Sequence, residues 1–394
     1  MRKLLVLAIV GALSLFAGRV MAEGGSDLEI SGNATTVAGW QRGSRAVQVL
    51  TAEGILNDGL NAVNAGIGNA TFGFYIDQVE LDLAKSFGEN IRVRSDLDFS
   101  PHRADAAGGV YLEQGYVTAN VPAGNGVEFL IGRFNSGIGL DPVDRSEMST
   151  VSFSGTHRTL LPRNLTGIRL GYDVSEASRW EFFVVNDLGD TSPSVAPAGF
   201  AVNSLPSAGF NGSYAWGSEG NKSWVKLSSG IGSETLPVVG APGFRPITLL
   251  GDLSSSVVVS DAFSVGLEGT IRSDGSAGAA NNLKCFGGQL KGRYAFSDVW
   301  DGTLRYGIVR DVNGAGTVLA NNSRGAVLGP TTGAGLGAAA TGGGTLHTVS
   351  LATGYHITDG AKFVLEGGVD LGSPTAGGPA RLTPGLAGMF AYSF

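Results

Sequence analysis

Leu386-Ala387-Gly388-Met389-Phe390-Ala391-Tyr392-Ser393-Phe394 is the stretch on which the fold turns. Leu386, Gly388, Phe390, Tyr392 and Phe394 share one parity; Met389, Ala391 and Ser393 share the other. Period two predicts a strand with one apolar, aromatic face. At a sheet edge in water such a strand invites aggregation. In lipid, a closed barrel removes the edge altogether, and aromatic rings gather where its strands meet the interface. An ordinary edge strand of a soluble sandwich is the competing reading.

Composition and the N-terminus favour lipid. The 394 residues include 63 glycines, and only 15% are charged. The glycines lie inside alternating apolar runs, which suits curved strands and tight turns. Beyond the N-terminus no apolar run is long enough for a membrane helix. Met1-Arg2-Lys3, the apolar run Leu4 to Phe16 and Val20-Met21-Ala22 predict a secretory signal peptide over residues 1–22. Residues 23–394 then form a single barrel domain. Loss of Arg2, Lys3 and Arg19 takes the formal charge from −7 to −10. An acidic chain is a poor partner for nucleic acid, and none is expected. The single cysteine, Cys285, makes no disulfide framework.

Working back from the last strand, the alternation continues through the whole chain. Tyr75–Leu83 and Ile91–Phe99 oppose Val79, Leu81, Leu83, Val93 and Leu97 to Glu80, Asp82, Arg92, Arg94, Asp96 and Asp98. Turns and alternation predict about sixteen antiparallel strands. Fourteen is the alternative, if Phe210–Ile231 is not a hairpin. Long and short connections alternate from Leu28–Trp40 to Leu382–Phe394. An even-numbered, all-β, up-and-down transmembrane barrel has this pattern, with short periplasmic turns and long extracellular loops. Met389, Ala391 and Ser393 should face the lumen, and the strand's free edge should pair with Leu28–Trp40. Trp180, Trp224 and Trp300 fall near short turns and predict an aromatic girdle.

Tyr111-Leu112-Glu113-Gln114-Gly115-Tyr116-Val117, then Phe129 to Leu140 with its Gly132-Arg133-Phe134, then Thr166-Gly167-Ile168-Arg169-Leu170-Gly171-Tyr172, follow in that order. This succession, within roughly residues 70 to 190, resembles the OmpL-like β-barrel porins. The resemblance implies an outer-membrane pore that diffuses ions and small hydrophilic solutes passively, with no assigned ligand residues. In the similar general porins the third extracellular loop folds into the lumen. The corresponding segment here is 135–163, with Asp141, Asp144, Arg145, Glu147, His157, Arg158 and Arg163. Mixed charge across a pore would act as a transverse field and a size filter. By parity the lumen wall carries Arg92, Arg94, Asp96, Asp98, Arg169, Arg272, Arg293 and Arg305, because a cation facing lipid at mid-bilayer costs about 2–4 kcal/mol.

No catalytic, metal or cofactor set is expected. His102, His157, His347 and His356 show no metal spacing, and no nucleophile elbow or phosphate loop occurs. Asp301 and Glu366 read as isolated carboxylates. A non-conducting structural or adhesive barrel is the main alternative, with a rim hydrolase using His102 or His157 behind it. The expected partners are outer-membrane lipid and, by analogy of size, two further copies in a homotrimer. The terminal Phe-x-Tyr-x-Phe resembles the signal read by the outer-membrane assembly machinery, through Phe394.

Overall fold

The computed structural model describes residues 28–42, 70–99, 110–188, 206–218, 221–233, 247–274, 283–312, 344–374 and 381–394. The segment read as a signal peptide, His102 and most of the 313–344 loop lie outside them.

The described residues form sixteen strands: β1 (Leu28–Arg42), β2 (Ala70–Phe87), β3 (Ile91–Asp98), β4 (Tyr111–Val121), β5 (Val127–Asn135), β6 (Asn164–Ser175), β7 (Ser178–Val185), β8 (Ser207–Ser218), β9 (Asn221–Ser233), β10 (Ile247–Ser260), β11 (Phe263–Asp274), β12 (Leu283–Ala295), β13 (Trp300–Asp311), β14 (Gly344–Thr358), β15 (Ala361–Pro374) and β16 (Arg381–Ser393). Each pairs antiparallel with its neighbours in sequence, and β1 pairs with β16 to close the barrel. The hairpin at 207–233 is present, which decides sixteen over fourteen. The seam aligns Asn33 with Ser393 and Trp40 with Leu386. Beyond it, the amides and carbonyls of Gly32 and Phe394 exchange two hydrogen bonds, 3.0 and 3.1 Å long.

The alternation has the inverted sense that lipid demands. Leu253, Leu267, Leu304, Leu351 and Leu386 stand exposed on the outer face, while Asp96, Glu366 and Asp370 are buried inside. Water outside would make that arrangement untenable; hydrocarbon outside makes it the stable one. On β16, Phe390 faces outward and Met389 and Ala391 face inward. Trp180 and Trp300 are on the outer face beside short turns, with Trp216 in the same position. Trp224 does not join them. It shares parity with the inward Lys226 and Ser228, opposite Ser256 of β10, and the Lys226 ammonium sits 5.3 Å over its ring.

Among the described residues five registers shift; three lie beside short turns, and the two inside the strands matter for the lumen. Between Thr35 and Thr36 the β1–β2 register skips Asp77. Between Asp96 and Leu97 the β3–β4 register skips Glu113. A bulge turns two consecutive side chains to one face. Asp77 and Gln78, and Glu113 and Gln114, are therefore all buried inside.

Candidate functional site

The segment between β5 and β6 does not leave the barrel. Ser136 donates its N–H to Arg163 O (2.7 Å) and its hydroxyl to Pro162 O (2.6 Å), which closes the neck of the loop. Gly137 and Gly139 have φ of +67° and +99°, conformations that need glycine. They let the chain lie flat along the wall, and it is fastened there strand by strand. Asn211 of β8 donates to Ser136 O (3.0 Å). Lys226 of β9 donates to Gly137 O, and Ser254 of β10 to Gly139 O. Glu268 of β11 accepts the Leu140 N–H (2.6 Å), and Lys291 of β12 pairs with Asp141 (3.2 Å).

The loop then crosses to the seam. A 3-10 turn, Arg145–Glu147, packs against β1 and β16. The Arg145 guanidinium meets Asp77 at 2.6 Å, and its backbone N–H donates to Gln78 Oε1 (3.2 Å). Gln78 faces the lumen by parity, and the β2 bulge brings Asp77 to the same side. Lys362 of β15 donates to Met148 O (2.7 Å). Glu366 of β15 accepts from the Val151 N–H (2.6 Å), the Ser152 N–H (2.8 Å) and the Ser152 hydroxyl (2.7 Å). Arg305 of β13 donates to Ser152 O (2.6 Å) and pairs with Glu366 (3.2 Å). Glu366, like Asp301, is thus not isolated. Asp301 meets Arg293 (2.8 Å) and His356 Nε2 (2.7 Å). Register across neighbouring strands supplies partners that sequence distance hides.

The return limb begins with α1 (Gly155–Thr159), capped by the Ser154 hydroxyl, which accepts the His157 N–H. It packs on β12 and β13. Close approach explains two glycines. A Cβ at Gly155 would lie 2.9 Å from Val309 Cγ2, and one at Gly287 would collide with Thr156 Cγ2. His157 stacks on Phe153 (4.4 Å, 11°), with the Arg145 guanidinium 4.4 Å over the same ring. That places His157 in the loop's packed interior and away from either rim. Inside β5–β10, Leu130, Phe134, Ile138, Leu161, Phe183 and Leu188 form an apolar cluster that seats the loop's two ends.

The charges named from the sequence are therefore divided. Asp141, Arg145 and His157 are buried, at 5%, 2% and 2% exposure. Asp144 is partly buried and Glu147 exposed; the Arg158 side chain lies outside the described residues. Burial by itself would raise the Asp141 carboxyl. Lys291, Arg305, His157 and the Ser154 N–H outweigh burial and hold it well below the usual carboxylate range. Asp144 goes the other way. Burial, then the carboxylates of Glu147, Asp82 and Asp96, push it up to about 7 against the pull of Arg94.

On the wall, all eight sequence-derived residues face inward. Asp96 and Asp98 are buried. Arg94 bonds Asp96 at 2.7 Å, with its side chain 30% exposed. Arg305 is locked to the loop, and Arg272 donates to Leu160 O (3.1 Å) and Leu188 O. Arg92 pairs with Glu29 (2.5 Å) and Arg169 with Glu128 (2.9 Å). Arg169 joins Arg179, Glu181 and Asp173 in a network near the short turns. Acids concentrate on β2–β4 and the facing loop: Asp77, Glu80, Asp82, Asp96, Asp98, Glu113, Asp144. On β11–β15 cations and acids interleave: Arg272, Lys291, Arg293, Arg305 and Lys362 stand among Glu268, Asp301, Asp311, Glu366 and Asp370. Asp77 and Glu113 were missed by parity. Their signal was a pair of adjacent polar residues, Asp77-Gln78 and Glu113-Gln114, interrupting an alternating run.

A closed sixteen-strand barrel with an apolar exterior, a charged interior and an inward loop defines the class of outer-membrane porins. The chain belongs to the family described as "Putative beta-barrel porin-2, OmpL-like", whose model matches residues 27–372. Solved structures agree on the fold. The outer membrane channel DcaP of Acinetobacter baumannii superposes with a TM-score of 0.61 at 12% identity, covering 94% of this chain and 98% of that one. OprB of Pseudomonas putida gives 0.58 at 11% identity, covering 93% and 94%. An anion-selective porin from Comamonas acidovorans gives 0.55 at 13% identity, covering 94% and 100%. No curated protein sequence matches.

Proposed function

We propose that the barrel is a diffusion pore for ions and small hydrophilic solutes, narrowed by the 135–163 loop. The observation that carries this reading is the loop's anchorage to wall strands from β8 around to β2, across an otherwise polar interior. Within it, Asp141, Arg145 and Glu366 are struts. Asp144, near Asp82 and Arg94, and Glu147, near Lys362, border the passage. That border carries more acid than base, so it favours cations. Bilayer recording on the refolded protein tests the whole reading: stable ohmic steps are expected, and a membrane that stays silent refutes it. Silence would favour the plugged, structural barrel, for which the near-complete burial of Val151, Ser152 and Leu160 speaks.

The remaining expectations belong to the same reading. Residues 1–22 direct export. The long-loop rim faces the cell exterior and the short turns face the periplasm. Three copies assemble, and Phe394 is read by the assembly machinery. Its two hydrogen bonds to Gly32 give it a second role at the seam. Deleting Phe394 should therefore reduce folded barrel in the membrane; normal yield from that variant would count against both roles.

A further inference from the structure

The two bulges inside the strands converge on one oxygen-lined pocket between the wall and the loop. The β3–β4 bulge turns Glu113 inward beside Gln114. The β2 bulge supplies Asp77, which holds Arg145 and with it the neighbouring Asp144. Carboxylate oxygens of Glu80, Glu113 and Asp144 lie within 4.8 Å of one another. Those of Glu80, Asp82 and Asp96 form a second such group around the same Glu80. Glu80 and Glu113 are buried, at 2% and 0% exposure. Bulges recur beside functional sites because they re-aim side chains.

Carboxylates this close repel, and the crowding is relieved by a shared proton or by a bound cation. The neighbouring oxygens decide between the two. Asn33 of β1, itself buried, donates its Nδ2–H to Glu80 Oε2 (2.9 Å). Its Oδ1 meets no donor among the described residues. By the dimensions of an amide, that oxygen stays within about 5 Å of the Glu80 carboxylate. Asp82 Oδ1 and Asp144 Oδ1 are also buried without a donor. A shared proton would serve one pair of oxygens and leave the others bare, whereas a cation serves them together. Arg94 and Arg145 lie nearby, but Asp96 and Asp77 already hold them. Arg133 and Arg163 bond the backbone carbonyls of Glu113 and Val143.

We propose that this pocket binds one calcium ion, which bridges Glu80 and Glu113 of the wall to Asp144 of the loop, with Asn33 Oδ1 as a neutral ligand. The ligand set is all oxygen, which suits a hard cation. Oxygens up to 4.8 Å apart can share an ion about 2.4 Å from each, the calcium distance. Magnesium needs about 2.1 Å and a stricter octahedron. The site uses no histidine or cysteine and draws on four separate stretches of chain, so no ligand spacing in the sequence announces it. Because one ligand belongs to the loop, the ion pins the border of the passage in place. Asp144 keeps its raised carboxyl only without the ion.

The test titrates CaCl2 into the full refolded chain, stripped with chelator in detergent micelles, by isothermal titration calorimetry. One ion per barrel is expected, with MgCl2 binding more weakly. Losing an outer partner of a metal ligand costs about 10–100-fold in affinity, so losing a ligand, in E80Q or D144N, should cost at least about 100-fold. E89Q, which removes an exposed acid in the turn between β2 and β3, should bind as wild type. D144N leaves the wall strands untouched, and heat-modifiable migration checks that each barrel is folded. No saturable uptake by about 1 mM calcium, the weak end of such sites, would overturn the proposal. So would affinity unchanged in both variants, or magnesium bound as tightly as calcium. Calcium should also slow proteolysis within 141–147 in wild type and not in D144N; equal cleavage with and without calcium would refute the loop as a ligand donor. A protein that conducts but takes up no calcium overturns the site and leaves the pore standing. One that takes up calcium and stays silent does the reverse.

Discussion

Replacing Glu366 with alanine should release the loop. Its carboxylate is fully buried and holds Val151, Ser152 and Arg305 together. Each hydrogen bond to a charged group is worth about 1.5–3 kcal/mol. The variant also strips Arg305 of its counter-charge, and breaking a buried pair costs about 3–5 kcal/mol. These figures overlap, so about 3–5 kcal/mol is the working loss. At 1.36 kcal/mol per decade, the docked-to-released ratio of the 148–154 segment falls by about two to four orders of magnitude. The barrel itself should survive, because its ladders do not pass through Glu366's side chain. Bilayer recordings of Glu366→Ala should show larger or flickering currents, and added protease should cut within 148–154. Replacing Arg305 with methionine as well removes the stranded charge, so the double variant should be less disturbed than the sum of the singles. A Glu366→Ala trace and cleavage pattern identical to wild type would refute the strut assignment.

Four further outcomes follow from the same geometry. Asp144 is neutral well below pH 7 and charged above it, so cation preference should rise between pH 6 and 8 and Asp144→Asn should flatten that rise in reversal-potential measurements. Its carboxyl is raised in the folded state, so the sign for stability is opposite: its favourable contribution is full below about pH 4 and is lost as pH rises through about 7, which loop proteolysis at pH 5 and 8 would detect. Gly287→Leu should drive α1 off β12, at a cost of about 1–3 kcal/mol, seen as enlarged conductance with an unshifted barrel on heat-modifiable gels. Leu304→Arg, on the lipid face, should cost about 2–4 kcal/mol in urea unfolding from vesicles, against little for Leu304→Ile.

The sequence made the barrel legible because lipid imposes one rule on every strand. Leu304, Leu351 and Leu386 obey the same parity logic as Phe390, and turn residues mark each reversal. The bulges at Asp77 and Glu113 escaped because a one-residue slip is invisible to counting by twos unless two adjacent polar residues are noticed. Trp224 is ambiguous for a related reason: it stands close to a turn, yet shares parity with the inward Lys226. The loop's position could be anticipated, but its path could not. Irregular backbone carries no period, and its course is set by single contacts such as Lys226 to Gly137 O. Hence the sequence offers Asp141 and Arg145 as charges by type, and only the fold reveals their buried partners, Lys291 and Asp77.

The seam between β1 and β16 has a consequence for biogenesis. Every other strand pair joins neighbours in sequence and can zip as a local hairpin. The seam alone brings together opposite ends of the chain, so its loop-closure entropy is the largest in the molecule. Closure must therefore come late, and until then two bare edges face lipid with unmet amides and carbonyls. An intermediate so exposed needs its edges sheltered while the sheet curls. The two Gly32–Phe394 backbone hydrogen bonds belong to that late closure.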